Sequence, residues 1–249
     1  MRRVNQLLVF GLLSFFSISA NAGLIDIEQY SGFLYSDTLS SSSLEYTEIG
    51  YLQDDFTGSG LTVEFQNNLD SENLGTVSWS FSNDTGSQLD NAWFFVFLDA
   101  EIDQGLNTFF NEYGALSSVT GLGAGDDAAD SWEIDEPGYV FGDIYDNLLD
   151  GALDNSNNVP AGLEDDVSLA LGFDLGSLVD GATVTGLFEL SRLDIGGLAH
   201  IDDHSEDTFY FNGTVQVDAG GPASVPEPSI PLLMAAPLLF LFFRQKRNA

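Results

Sequence analysis

The sequence predicts an all-β protein, an antiparallel β-sandwich with Greek-key character, and two observations predict it. Apolar and polar residues alternate with period two through the middle of the chain, in strand-sized runs separated by clusters of Gly, Asp and Ser. Long runs of helical period are missing. The 249 residues, 44% hydrophobic and 12% aromatic, suffice for one sizeable domain or two small ones with a packed core.

The chain opens on MRRVNQLLVFGLLSFFSISANA, with a basic start at Arg2 and Arg3, an apolar core from Leu7 to Ile18, and small residues at Ala20 and Ala22. That is the pattern of a helical secretory signal peptide, residues 1–22, cut by a leader peptidase after Ala22 to leave Gly23 as the mature N-terminus. The arginine pair lacks the rest of a twin-arginine pattern, which favours the general export route.

Residues 23–217 form the body. In TVSWSFSND, Val77, Trp79 and Phe81 face one way and Thr76, Ser78, Ser80 and Ser82 the other, as in a half-buried strand. NAWFFVFLDAEID is apolar on both faces, with Trp93, Phe95 and Phe97 against Phe94, Val96 and Leu98, as a central strand would be. VSLALGFDLG, ATVTGLFELSRL and DTFYFNGTVQV supply further strands. The stretches containing VSWSFSND with NAWFFVFL, and LALGFDLG with TVTGLFEL, resemble Ig-like domains of bacterial surface proteins, a likeness that implies no active site. Between them lies a long insertion, 104–166, rich in Gly and Asp and expected to be mostly irregular. Its aromatics (Phe109, Phe110, Tyr113, Trp132, Tyr139, Phe141) imply that part of it packs on the sandwich. One short helix is expected from Asp143 to Leu149, stopped by Gly151. Residues 218–224 read as a linker.

Charge sets the class of partner. The chain has 39 acidic and six basic residues, a net of −33. Every acid but Glu227 lies between Gly23 and Val225, where Arg192 is the single base. Such a body repels nucleic acid and anionic surfaces. The lack of cysteine excludes disulfides, thiolate metal sites and a cysteine nucleophile.

Asp99, Glu101 and Asp103 share one face if their strand continues, and calcium is the natural neutraliser of three carboxylates in a body without lysine. Asp154, Ser156, Asn158 and Asp165 follow an EF-hand loop only loosely, with Val159 at the turn glycine. His200 and His204, the only histidines, would share a face on a helix and could hold zinc; on a strand they lie further apart. No G-x-S-x-G is present, acids are too many for any pair to point to glycosidase chemistry, and no catalytic residue is assigned. Arg192 is expected to pair with Glu189 or Asp194.

The chain closes on Val225-Pro226-Glu227-Pro228, an apolar segment 230–243, and the bases Arg244, Lys246 and Arg247. The apolar segment makes about 21 Å of helix, short of the ~30 Å hydrocarbon core, and Pro237 interrupts it. The bases would stay cytoplasmic, leaving the body outside. This order, over residues 225–249, resembles a PEP-CTERM sorting signal, although its apolar segment is shorter than is usual there. The resemblance implies transient inner-membrane anchoring and cutting near Pro226, Glu227 and Pro228 by an exosortase, a membrane enzyme of Gram-negative bacteria that also make exopolysaccharide. It further implies release or attachment of the body at the cell surface. The expectation is a non-catalytic surface or matrix protein associated with exopolysaccharide. The alternative is a secreted carbohydrate-active enzyme or lectin with its site in the insertion.

Overall fold

The computed structural model describes residues 23–220 apart from 106–107, 119–121, 123–126 and 139. The expected signal peptide, sorting tail and their helices, with Ala20, Ala22, Pro226, Glu227 and Pro228, lie outside the described residues. Two antiparallel sheets of six strands make up almost all of the body. One runs, in spatial order, β3 (Gln53–Asp54), β2 (Ser43–Ile49), β1 (Ile25–Tyr35), β6 (Leu89–Ile102), β9 (Ser168–Leu178) and β8 (Ser131–Asp135). The other runs β4 (Leu61–Leu69), β5 (Gly75–Asn83), β10 (Thr183–Ser191), β12 (Thr208–Asp218), β11 (Leu198–Asp202) and β7 (Glu112–Leu116). Among the described residues no helix is long and apolar enough to cross a membrane.

Alternation explains how the sheets pack. Val77, Trp79 and Phe81 of β5 are buried, and their even-numbered neighbours stay half-exposed. Trp79 meets Tyr30 of β1 edge-on at 4.9 Å and Phe188 of β10 at 5.6 Å. Such ring pairs add about 0.5–1.5 kcal/mol each to the burial of their area. The strands β5 and β6 are successive but lie in different sheets, as do β9 and β10, so each pair turns a corner of the sandwich. Asn83, 1% exposed, ties the two corners: its Nδ2 donates to the carbonyls of Ser87 and Leu178 at 2.9 and 3.0 Å.

β6 is buried on both faces, as its sequence implies. Phe94, Val96 and Leu98 point between the sheets, while Phe95 and Phe97 point outwards into a second cluster with Phe33, Ala170, Ile144, Leu148 and Leu153. The cover is the expected helix, α1 (Ile144–Asp150). It ends at Gly151 with φ 75°, where a Cβ would come within 2.4 Å of the Tyr35 ring.

The insertion corrects the expectation of irregularity. It contributes an edge strand to each sheet, β7 and β8, besides α1 and a 3-10 turn at Phe109–Asn111. Trp132 packs on the core, whereas Phe110 and Phe141 are exposed.

Candidate cation site

Because side chains alternate along a strand, Asp99 and Glu101 share the outward side of β6 with Phe95 and Phe97. α1 covers the phenylalanines. Further along, the same face turns polar, and there the chain entering β9 brings in Asp166. The β6–β9 register places Asp99 opposite Ser168, whose Oγ donates to Asp99 Oδ1 at 3.0 Å. Oxygens of Asp99, Glu101 and Asp166 all lie within 4.8 Å of one another.

The site is short of donors. Asp99 is 4% and Glu101 3% exposed, and Glu101 Oε2 and Asp166 Oδ1 are buried without a hydrogen-bond partner. A buried acceptor with no donor costs about 1–3 kcal/mol, more when charged. Burial, reinforced by the Asp166 charge, pushes Asp99 up to about 7. Burial and the neighbouring Glu112, Asp166 and Asp99 push Glu101 up to about 10. Burial and Glu112 push Asp166 up to about 6. Three hard oxygen donors at this spacing suit a divalent cation of the calcium kind, with water completing its shell. A cation there would offset the burial and repulsion that otherwise hold protons on these carboxyls.

Behind the trio stands Glu112 of β7, fully buried. Its Oε1 accepts from the Ile102 N–H at 2.8 Å, and its Oε2 lies 2.6 Å from His200 Nε2. His200 is fully buried on β11, with its ring 4.8 Å from that of Phe209.

Two sequence expectations are corrected here. Asp103 does not join Asp99 and Glu101. β6 ends at Ile102, Asp103 turns with φ 56°, and its Oδ1 accepts from the Leu24 N–H. Nor do His200 and His204 form a zinc pair. His200 points into the core, whereas His204 is exposed in the turn after β11, its N–H donating to Asp202 Oδ1 at 2.7 Å. Asp166 carries no signal in the sequence, because its place depends on a strand register that no local pattern encodes.

A second acidic group, Glu133, Asp143 and Asp154, also has oxygens within 4.8 Å of one another. Glu133, raised to about 7 by burial, is better provided for: it accepts from Asn147 Nδ2 and the Asp154 N–H at 3.0 and 3.1 Å. Asp154 therefore sits beside Glu133 and Asp143 instead of opening an EF-hand loop. Next to Asp166 is a cleft of about 270 Å³, lined by Phe109, Phe110, Pro137, Val140 and Phe141 with Glu136 and Asp165.

Compared with known proteins, the chain matches no family model and no curated protein.

Proposed function

We propose that the chain is an exported, exosortase-processed surface or extracellular-matrix protein, non-catalytic, whose acidic sandwich is stabilised by a divalent cation and associates with exopolysaccharide. The observation that carries this reading is the Asp99–Glu101–Asp166 trio, with a buried Glu101 oxygen that meets no donor. Such a site suits a compartment where calcium is abundant, since extracellular calcium modules work at about 10⁻⁴–10⁻³ M. The two ends of the sequence agree with that compartment. Ala20 and Ala22 mark leader-peptidase cutting, and the Pro226-Glu227-Pro228 triplet, apolar segment 230–243 and terminal bases form a PEP-CTERM-like tail. In this reading the tail holds the protein briefly in the inner membrane, and the sandwich is a surface module of the Ig-like, Greek-key kind.

Mass spectrometry of the native protein, with its cell fraction recorded, tests the proposal. The expected product starts at Gly23, ends near Pro226–Pro228 and is found outside the inner membrane. Full-length protein in the cytoplasm would refute it.

A second reading, a lectin or carbohydrate-active enzyme, is favoured by the aromatic cleft beside Asp165 and Asp166. Phenyl faces pack on sugar rings while carboxylates accept from hydroxyls. Glycan binding abolished by Phe110→Ala and Phe141→Ala would favour it over the first.

A further inference from the structure

The charged groups of three remote segments meet at Gly23. The Gly23 N–H donates to Asp207 Oδ2 at 2.5 Å, and the Leu24 N–H donates to Asp103 Oδ1 at 2.8 Å. The guanidinium of Arg192 donates to the Gly23 carbonyl, not to Glu189 or Asp194 as its sequence neighbourhood suggests. Asp103 follows β6, Asp207 precedes β12 and Arg192 follows β10. Gly23 is buried, and a Cβ on it would come 2.5 Å from Asp103 Oδ2 and 2.8 Å from Asp207 Oδ2. Two carboxylates thus close on a residue whose amide nitrogen, inside a peptide bond, has a single proton to give.

We propose that Asp207 and Asp103 form a binding site for a primary ammonium, the chain's own mature N-terminus. The proposal rests on the reading of residues 1–22 as a signal peptide. Leader-peptidase hydrolysis of the Ala22–Gly23 bond places the oxygen of one water in the Ala22 carboxylate. The two hydrogens of that water end on the Gly23 nitrogen, which becomes an ammonium with three donors. One donor keeps the bond to Asp207, and the others serve Asp103 and water. In a body whose only lysine or arginine is Arg192, the new ammonium adds a cation at the same point as that guanidinium. β1 starts two residues on and lies between β2 and β6, so this anchor fixes an interior strand of its sheet. Removal of the leader therefore completes the fold after export.

The composition gives a selective test. Lys246, in the tail, is the only lysine, so in the tail-processed protein the α-amine is the sole primary amine. Exported protein is treated with limiting acetic anhydride at pH 7, natively and in urea, and acetylation of the N-terminal peptide is read by mass spectrometry. A carboxylate-held ammonium loses its proton less readily, about tenfold less free amine for each unit by which its pKa rises. The native amine should react at least tenfold more slowly than the unfolded one. Asp207→Asn and, separately, Asp103→Asn, which keeps an acceptor for Leu24, should each speed the native reaction. Equal rates in the native and unfolded protein would overturn the capture, as would native rates unmoved by both substitutions. A terminus other than Gly23 would overturn the cleavage reading itself.

Discussion

Replacing Asp99 by Asn should raise stability most in the absence of a cation, and calcium should shrink that advantage. Without a cation, the Asp99 carboxyl titrates near 7 in the folded protein instead of 3.8, chiefly through burial. The folded state then binds more protons than the unfolded state between these values, so stability falls as pH rises from about 4 to 7. At 1.36 kcal/mol per unit, the loss from this group is at most about 4 kcal/mol. That is a large part of the ~5–15 kcal/mol typical of a domain. Glu101 and Asp166 act in the same direction, and Glu101 extends the window towards about 10. Asparagine removes the titration and offers a donor to the neighbouring carboxyls. In chelator at pH 8 the Asp99→Asn protein should therefore melt above wild type, and at pH 4 that advantage should vanish. Calcium at one hundred times its dissociation constant adds about 2.7 kcal/mol to wild type. At 2–4 °C per kcal/mol for a body of this size, that is about 5–11 °C. The variant should gain no more than in ionic-strength-matched sodium chloride, so its lead over wild type should shrink by about that amount. Melting curves followed by circular dichroism from pH 4 to 8 would read both effects. A wild-type melting temperature that is flat with pH in chelator, or equal gains from calcium and matched sodium in both proteins, would refute the reasoning.

Other outcomes follow from individual contacts. His200→Leu leaves the buried Glu112 Oε2 without its His200 partner and should cost about 3–5 kcal/mol in urea unfolding, whereas His204→Ala, in an exposed turn, should stay within about 0.5 kcal/mol. Trp79→Ala should cost about 3–5 kcal/mol, because its ring packs on Tyr30, Phe65, Phe94 and Phe188 between the sheets. Gly151→Ala should lower the melting temperature and loosen α1, since the residue has φ 75° and faces the Tyr35 ring. Changing Pro226, Glu227 and Pro228 together to Ala should leave the tail attached in the producing cell, read by intact mass; a variant trimmed like wild type would remove the case for a sorting signal.

The parts of the fold legible in sequence are those set by neighbouring residues. Alternation at Val77, Trp79 and Phe81, the doubly apolar β6 and the glycine stop of α1 each follow from contacts a few residues wide. Asp99 and Glu101 could be picked out for the same reason, since their spacing puts them on one side of a strand. What local pattern does not hold is register and sheet membership. Asp166 reaches the trio because β9 runs beside β6 with Ser168 opposite Asp99. Glu112 meets His200 across 88 residues of chain. β7 and β8 are five-residue edge strands, EYGAL and SWEID, too short and too polar to stand out from the acidic loops around them. Asp103 lies one residue beyond the end of β6, so the alternation that aligns Asp99 with Glu101 does not reach it.

Calcium stoichiometry tests the cation site most directly. Purified protein, stripped with chelator and dialysed at pH 7.5 against millimolar calcium, is weighed by native mass spectrometry beside its Glu101→Gln counterpart. The trio predicts tightly retained calcium in wild type that is missing from the variant, while both keep the same circular-dichroism spectrum. The same calcium content in both proteins, or none in either, would contradict a cation held by Asp99, Glu101 and Asp166.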